Sequence, residues 1–255
     1  MKRIINIVPA FTNFSKKTLS IGKKQLPYFR TKNFDRMILE IKYKLCKLLN
    51  AKDYKVALIT CSGTGVMDSV FTNFIDKTDK ILIINGGRFG QRLIDMANFY
   101  NCNYVEYKEK EGSNISLLFL EELLKKHKPK HLLIQHNETS TMQLFNIEEI
   151  GELCRKYKVN FIVDACSSFG INHIDIEKMN IGVIFFGSQK GLNLPSGLGI
   201  LVYNKNVYIN PKNYYFNLNL YSPENNRFIE PFTPNVYVVY QLYELLKNFN
   251  VNKLR

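Results

Sequence analysis

Three short segments carry residue types that chemistry could use. Lys190 follows the strongly apolar run IGVIFFG (Ile181 to Gly187) and stands between Gly187 and Gly191. A lysine so placed is expected to be partly desolvated, which lowers its pKa and favours the neutral amine that can form a Schiff base with a carbonyl. Asp164 closes another apolar run, VNFIVD. A carboxylate buried there needs hydrogen bonds or a cationic partner, and a protonated ring nitrogen is one such cation. Ser62-Gly63-Thr64-Gly65 follows the run VALIT (Val56 to Thr60). Glycines let the backbone approach a ligand, and the unpaired amides that open a helix attract an anion such as phosphate. This turn is no dinucleotide fingerprint, because Asp68 stands where GxGxxG needs its last glycine, and no GK[ST] follows to make a Walker loop. Taken singly, each feature has a plain structural reading: a surface lysine past a strand, a turn-capping aspartate, an ordinary strand-to-helix turn.

The elements that must position these residues follow from the apolar pattern. ILIIN (Ile81 to Asn85), NYVEY (Asn103 to Tyr107), HLLIQ (His131 to Gln135) and VNFIVD (Val159 to Asp164) alternate with helical patterns reaching Ile75, Tyr100, His127 and Tyr157. IGVIFFG and LGILVYN (Leu198 to Asn204) complete the series, and a last helical pattern runs from Val236 to Phe249. The alternation predicts an α/β fold, a mostly parallel mixed sheet with helices on both faces. Asn146 followed by Glu149 reads as a capping box, and Asn33 or Asp35 is expected to open the helix that ends near Leu49. In such sheets ligands bind outside the carboxyl ends of the strands. The residues to weigh are therefore Ser62 to Thr64, Gly86 to Phe89, His136 to Thr141, Asp164 to Cys166, and Ser188 to Lys190.

Composition narrows the function classes. The chain has 255 residues, 45% hydrophobic and 22% charged, which fits one large globular domain with a full core. Its net charge of +13 comes from lysines spread as singles and pairs, and no nucleic-acid-binding motif accompanies them, so no nucleic-acid partner is expected. Five widely spaced cysteines without a CxxC pair form neither a disulfide framework nor a zinc pattern. No apolar run approaches the ~20 residues of a membrane span. Pro9, Asn13 and Lys16-Lys17 interrupt any signal-peptide core, so a cytoplasmic protein is expected.

Jointly, a phosphate cradle, an acid suited to a ring nitrogen and a strand-end lysine describe a pyridoxal-phosphate site. From Asn85 to Leu201 the sequence resembles the class V aminotransferases, in the branch with alanine–glyoxylate, serine–glyoxylate and 2-aminoethylphosphonate transaminases. The resemblance rests on SGTG, NGGRFGQR, HNETST, FIVDACSSFG and GSQKGLNLPSGLG. It implies the large domain of the pyridoxal-phosphate-dependent fold type I over residues 21–255, preceded by an arm over residues 1–20, with the C-terminal small domain missing. It also implies that Lys190 holds pyridoxal 5′-phosphate as a Schiff base and then moves the substrate proton. Asp164 would keep the pyridine nitrogen protonated. Cys166 would pack on one ring face and Phe89, in place of the usual tryptophan, on the other. Ser62, Gly63, Thr64 and Gln189 would bind the phosphate, and Thr139 or Ser140 would contact the ring hydroxyl. Thr233, in a Thr-Pro pair, would reach the phosphate of a second subunit and make the protein a homodimer with shared sites. Alone, Thr233 reads equally well as a helix cap with Pro234 at the first helical position.

The implied activity is transfer of an amino group from an amino acid or aminophosphonate-like donor to a 2-oxo acid. Decarboxylation or elimination on the same cofactor, and a truncated cofactor-binding protein without turnover, are the alternatives. Departures from the family pattern fall on the substrate side. Val8-Pro9-Ala10 stands for a Gly-Pro motif, Phe29 for a histidine before Arg30, and Met142 for a common glycine. The substrate-binding arginine of the small domain is expected to be absent, since Arg255 comes too early to replace it. A truncated product, a split enzyme completed by a second polypeptide, and a short enzyme whose substrate lacks the usual carboxylate would each explain this. The aromatic run Tyr214, Tyr215 and Phe216 is expected to be ordinary loop packing.

Overall fold

Seven strands make one sheet in the computed structural model, which describes residues 13–108, 110, 112–221 and 229–249. In chain order they are β1 (Tyr54–Ile59), β2 (Lys80–Asn85), β3 (Asn103–Lys108), β4 (His131–Gln135), β7 (Asn160–Asp164), β8 (Ile181–Gly187) and β9 (Gly199–Asn204). A small separate hairpin supplies β5 (Asn137–Glu138) and β6 (Gln143–Leu144). The order across the sheet is β1-β9-β8-β7-β4-β2-β3. β2, β3, β4, β7 and β8 run parallel, while β9 is antiparallel to both of its neighbours. A parallel return from β8 would need a crossover helix. The connection through Lys190 is instead a pinned loop, in which Ser188 N donates to Leu198 O at 3.0 Å and Ser188 Oγ to Pro195 O at 2.6 Å.

Side-chain alternation splits the core in two. Val56 and Leu58 face one side of the sheet, where α2 (Lys32–Leu48), α5 (Leu117–His127), α6 (Ile147–Tyr157) and α7 (Val236–Leu246) pack. Ala57 and Ile59 face the other, under α3 (Gly63–Phe74) and α4 (Arg88–Phe99). Strands buried on both faces read as unbroken apolar runs, which is why the pattern was legible.

Helix starts differ from the sequence expectation in three places. Thr31 caps α2, its Oγ1 accepting from Phe34 N at 3.3 Å, whereas Asn33 and Asp35 sit inside the first turn. Asp35 instead accepts from Ile229 N at 3.2 Å. Asn146 does precede α6, but its side chain makes no cap bond and the expected box with Glu149 does not form. The helix is entered through a tight turn, with Ile147 N donating to Phe145 O at 3.0 Å. Asn235, not Thr233, caps α7, accepting from Val238 N at 3.4 Å while its own N–H donates to Thr60 Oγ1 at 2.9 Å. The described residues before α2 include an unforeseen helix, α1 (Lys16–Ile21), docked on α7 by Gln241 Nε2 donating to Thr18 O at 3.0 Å. Val8-Pro9-Ala10 and Arg255 lie outside the described residues. Tyr215 stacks on Phe232 with centroids 5.1 Å apart, and Phe216 O accepts from the buried Asn73, so the aromatic run is loop packing. Among the described residues no helix is long and apolar enough to cross a membrane.

Candidate active site

Because β2, β4, β7 and β8 run parallel, their carboxyl ends gather the weighed residues along one edge of the sheet. Lys190 is half-buried there. Its Nζ donates to Ser167 Oγ at 2.7 Å and to Thr139 Oγ1 at 3.4 Å, and lies 4.9 Å from the centroid of the Phe89 ring. The two hydroxyls are themselves 2.5 Å apart. Arg92 covers Phe89 as well, with its guanidinium 4.9 Å from the ring centroid and Nη1 donating to Thr64 Oγ1 at 3.0 Å. The aromatic position and the SGTG turn are thereby tied together.

Asp164 is buried at the end of β7, and its Oδ1 accepts from Cys166 N at 2.8 Å. Burial pushes its pKa up, only partly offset by the Cys166 bonds and the Lys190 charge. A cation at its other oxygen would reverse that shift. Burial, then the Asp164 charge, push the Cys166 thiol well above its usual range, so this cysteine acts by shape rather than as a nucleophile. At Gly63 a Cβ would lie 3.3 Å from Cys166 Sγ and 3.4 Å from Gln189 Nε2. The glycine thus brings the start of α3 against both side chains. Ser62 Oγ caps α3 by accepting from Gly65 N at 3.1 Å.

Ser140 and Thr139, left as alternatives by the sequence, have different surroundings. Ser140 Oγ donates to Glu138 Oε1 at 2.6 Å and accepts from Arg88 N at 3.0 Å, so it braces the loop, while Thr139 faces Lys190. Glu138 was weighed only as part of the His136 to Thr141 segment, and sequence reasoning gave it no role. It is fully buried, and Oε2 accepts from Phe89 N and Gly90 N, both at 3.0 Å, while Oε1 also accepts from Ser140 N at 3.0 Å. Close packing requires Gly87 beside it, since a Cβ there would lie 2.6 Å from Ser140 Oγ. Ser167 and Arg92 were also missed. The only sequence signal for them was their place inside the DACSS and GRFGQR motifs. Met142 has φ 57 on the hairpin turn, a left-handed conformation that suits the glycine expected there from the resemblance. Thr233 is exposed and joined to the cluster by no hydrogen bond among the described residues, although Arg30 pins the preceding segment through Glu230 O and Pro231 O, both at 3.2 Å. A separate cavity of about 730 Å³ between α2 and β1, lined by Leu39, Tyr43 and Tyr54, contains none of these residues.

Buried polar atoms without partners collect at the same strand ends: both side-chain polar atoms of Gln135, His136 Nδ1 and Gln189 Oε1. Leaving such atoms unpaired costs about 1–3 kcal/mol each, so the edge suits a polar ligand. A mixed α/β sheet that brings a lysine, a buried acid and a glycine-opened helix to one edge defines the pyridoxal-phosphate-dependent transferases of fold type I. The chain matches the class V aminotransferase family over residues 5–247 and belongs to it. It is 33% identical over 175 residues to a bifunctional phosphonoacetaldehyde hydrolase/aminoethylphosphonate transaminase from Clostridioides difficile, covering 68% of this chain and 28% of that one. It is 31% identical over 221 residues to an uncharacterized aminotransferase from Methanocaldococcus jannaschii, covering 84% of this chain and 57% of that one. The crystal structure of alanine–glyoxylate aminotransferase from Nostoc sp. superposes with a TM-score of 0.87 at 25% identity, over 94% of this chain and 66% of that one. The chain thus spans only part of the length of these relatives. The cofactor of the family is pyridoxal 5′-phosphate, and the buried acid and the close-packed Gly63 fit it.

Proposed function

We propose that this chain acts as a pyridoxal-phosphate-dependent aminotransferase, passing an amino group from an amino acid or aminophosphonate-like donor to a 2-oxo acid. The observation that carries the reading is the position of Lys190 Nζ, 4.9 Å from the Phe89 ring centroid, on the sheet edge that also holds the buried Asp164. The Clostridioides relative, an aminoethylphosphonate transaminase, and the Nostoc relative, an alanine–glyoxylate aminotransferase, support the two donor classes.

Bound pyridoxal phosphate supplies an electrophilic carbon and an electron-withdrawing ring. The chain supplies the rest. Lys190 holds the cofactor covalently and carries a proton at Nζ. Asp164 offers its buried carboxylate to the ring nitrogen, and that charge pairing offsets its own desolvation. Phe89 and Cys166 would hold the ring, and Arg92 packs on Phe89 in turn. The opening amides of α3, with Ser62, Gly63, Thr64 and Gln189, receive the phosphate. Thr139 contacts the ring hydroxyl. Thr233 of a second subunit completes the phosphate site, so the working form is a homodimer. Its exposure in one chain is consistent with that use. Loaded protein mixed with alanine or 2-aminoethylphosphonate should turn its cofactor into the amine form with one equivalent of carbonyl product, and Lys190→Ala should not. Carbon dioxide release or elimination products in place of an exchanged amino group would contradict the assignment.

A further inference from the structure

The closest polar contact of Lys190 Nζ is to Ser167 Oγ, at 2.7 Å, and no role has yet been given to that hydroxyl. Ser167 lies in the turn after β7, directly after Cys166, whose N closes the Asp164 turn. The turn is fixed from below: Ala165 N donates to Phe185 O at 2.9 Å, and Ser168 N and Phe169 N both return to Ala165 O, at 3.1 and 2.9 Å. The next serine, Ser168, is fully buried with its hydroxyl turned back to Ala165 O, so only Ser167 offers its hydroxyl to the lysine. Lys190 enters from a loop that is pinned separately through Ser188. Two rigid backbones therefore meet at one flexible side chain, whose four rotatable bonds would otherwise leave the amine unplaced.

We infer that Ser167 is the docking residue for Lys190, holding its ε-amine at a fixed point whenever the lysine is not covalently engaged. An ammonium or amine donates to both oxygens, and with Ser167 and Thr139 only 2.5 Å apart one hydroxyl must donate to the other. Ser167 thereby ties the lysine and Thr139 into one hydrogen-bonded set, with the Phe89 ring centroid 4.9 Å from the amine. The inference rests on Lys190 being the cofactor lysine.

The test uses cofactor-free protein briefly exposed to trace acetic anhydride, with acetylation mapped peptide by peptide. Lys190 labelling is read relative to the exposed Lys205 in wild type, Ser167→Ala and Ser167→Thr. The expected result is that Lys190 labels about fivefold faster in Ser167→Ala, roughly the factor of one lost net hydrogen bond, and returns to the wild-type rate in Ser167→Thr. Equal Lys190 labelling in all three proteins, or Ser167→Thr behaving like Ser167→Ala, overturns the inference. Adding pyridoxal phosphate to the same wild-type sample separates this from the parent reading. Absence of a visible band would reject Lys190 as the cofactor lysine, whereas a band together with equal labelling would reject only the docking role.

Discussion

Glu138 gathers two loops whose residues lie about fifty positions apart, through four hydrogen bonds to Phe89, Gly90 and Ser140. Such charge-assisted bonds are worth about 1.5–3 kcal/mol each when buried. Glu138→Gln keeps the volume but turns an NH2 group toward backbone donors. The expected loss is about 2–3 kcal/mol of stability, together with a clear fall in cofactor affinity because Phe89 loses its anchor. Chemical unfolding and cofactor titration would check both, and unchanged values in the variant would remove Glu138 from the account. The same residue shows where sequence reading runs out. Lys190, Asp164 and Gly63 were legible because they end apolar runs or open a helix, while Cys166 and Gln189 came from the family resemblance, and the structure brings all five together. A glutamate inside HNETST gives no sign of which backbone amides it will face, since those amides belong to a different segment. Ser167 was hidden for the same reason, because its meaning depends on a lysine that arrives from another loop.

Elements were read better than their ends. Every long strand and helix appeared where the apolar pattern placed it, because double-sided burial writes itself into the sequence. Caps did not, since Thr31, Asn146 and Asn235 are chosen by local backbone geometry and by contacts with distant segments such as Thr60. Which strand of the mixed sheet reverses was equally invisible, as the same apolar run serves a parallel or an antiparallel strand; it is β9. Helix packing also holds one sequence-level surprise. Glycine within a helix is normally improved by alanine, by about 0.5–1 kcal/mol. At Gly151 in α6, however, a Cβ would come 1.9 Å from Met179 O. Gly151→Ala should therefore destabilise by about 1–3 kcal/mol, with a lower Tm rather than a higher one. A raised Tm would show that α6 does not sit so close to the segment before β8.

At the scale of the whole molecule, the two cores enclose histidines that must stay neutral. His131 lies between Asp79, at 3.3 Å, and Asn160, at 2.9 Å, and burial pushes its pKa down to about 4. Burial does the same to His136, also to about 4. A base with a lowered folded pKa contributes stability that is complete above its ordinary value, 6.5, and is lost as pH falls toward about 4. Glu230 works in the other direction. Burial pushes it up to about 7, so its contribution is complete below 4.5 and is lost as pH rises through about 7. The histidine effect is isolated by comparing wild type with His136→Gln in cofactor-free form. Between pH 7 and pH 5 wild type should lose about 2 kcal/mol more than the variant, several degrees in Tm. Parallel Tm profiles for the two proteins would show that His136 is not held neutral. All of these expectations describe a scaffold whose purpose, in this account, is to present one lysine to one cofactor. The most direct measurement is to add pyridoxal phosphate to the purified chain, reduce with borohydride and map the modified peptide by mass. The account predicts a visible band that borohydride abolishes, leaving the cofactor mass on Lys190; a band fixed to any other lysine, or no fixed cofactor at all, would contradict it.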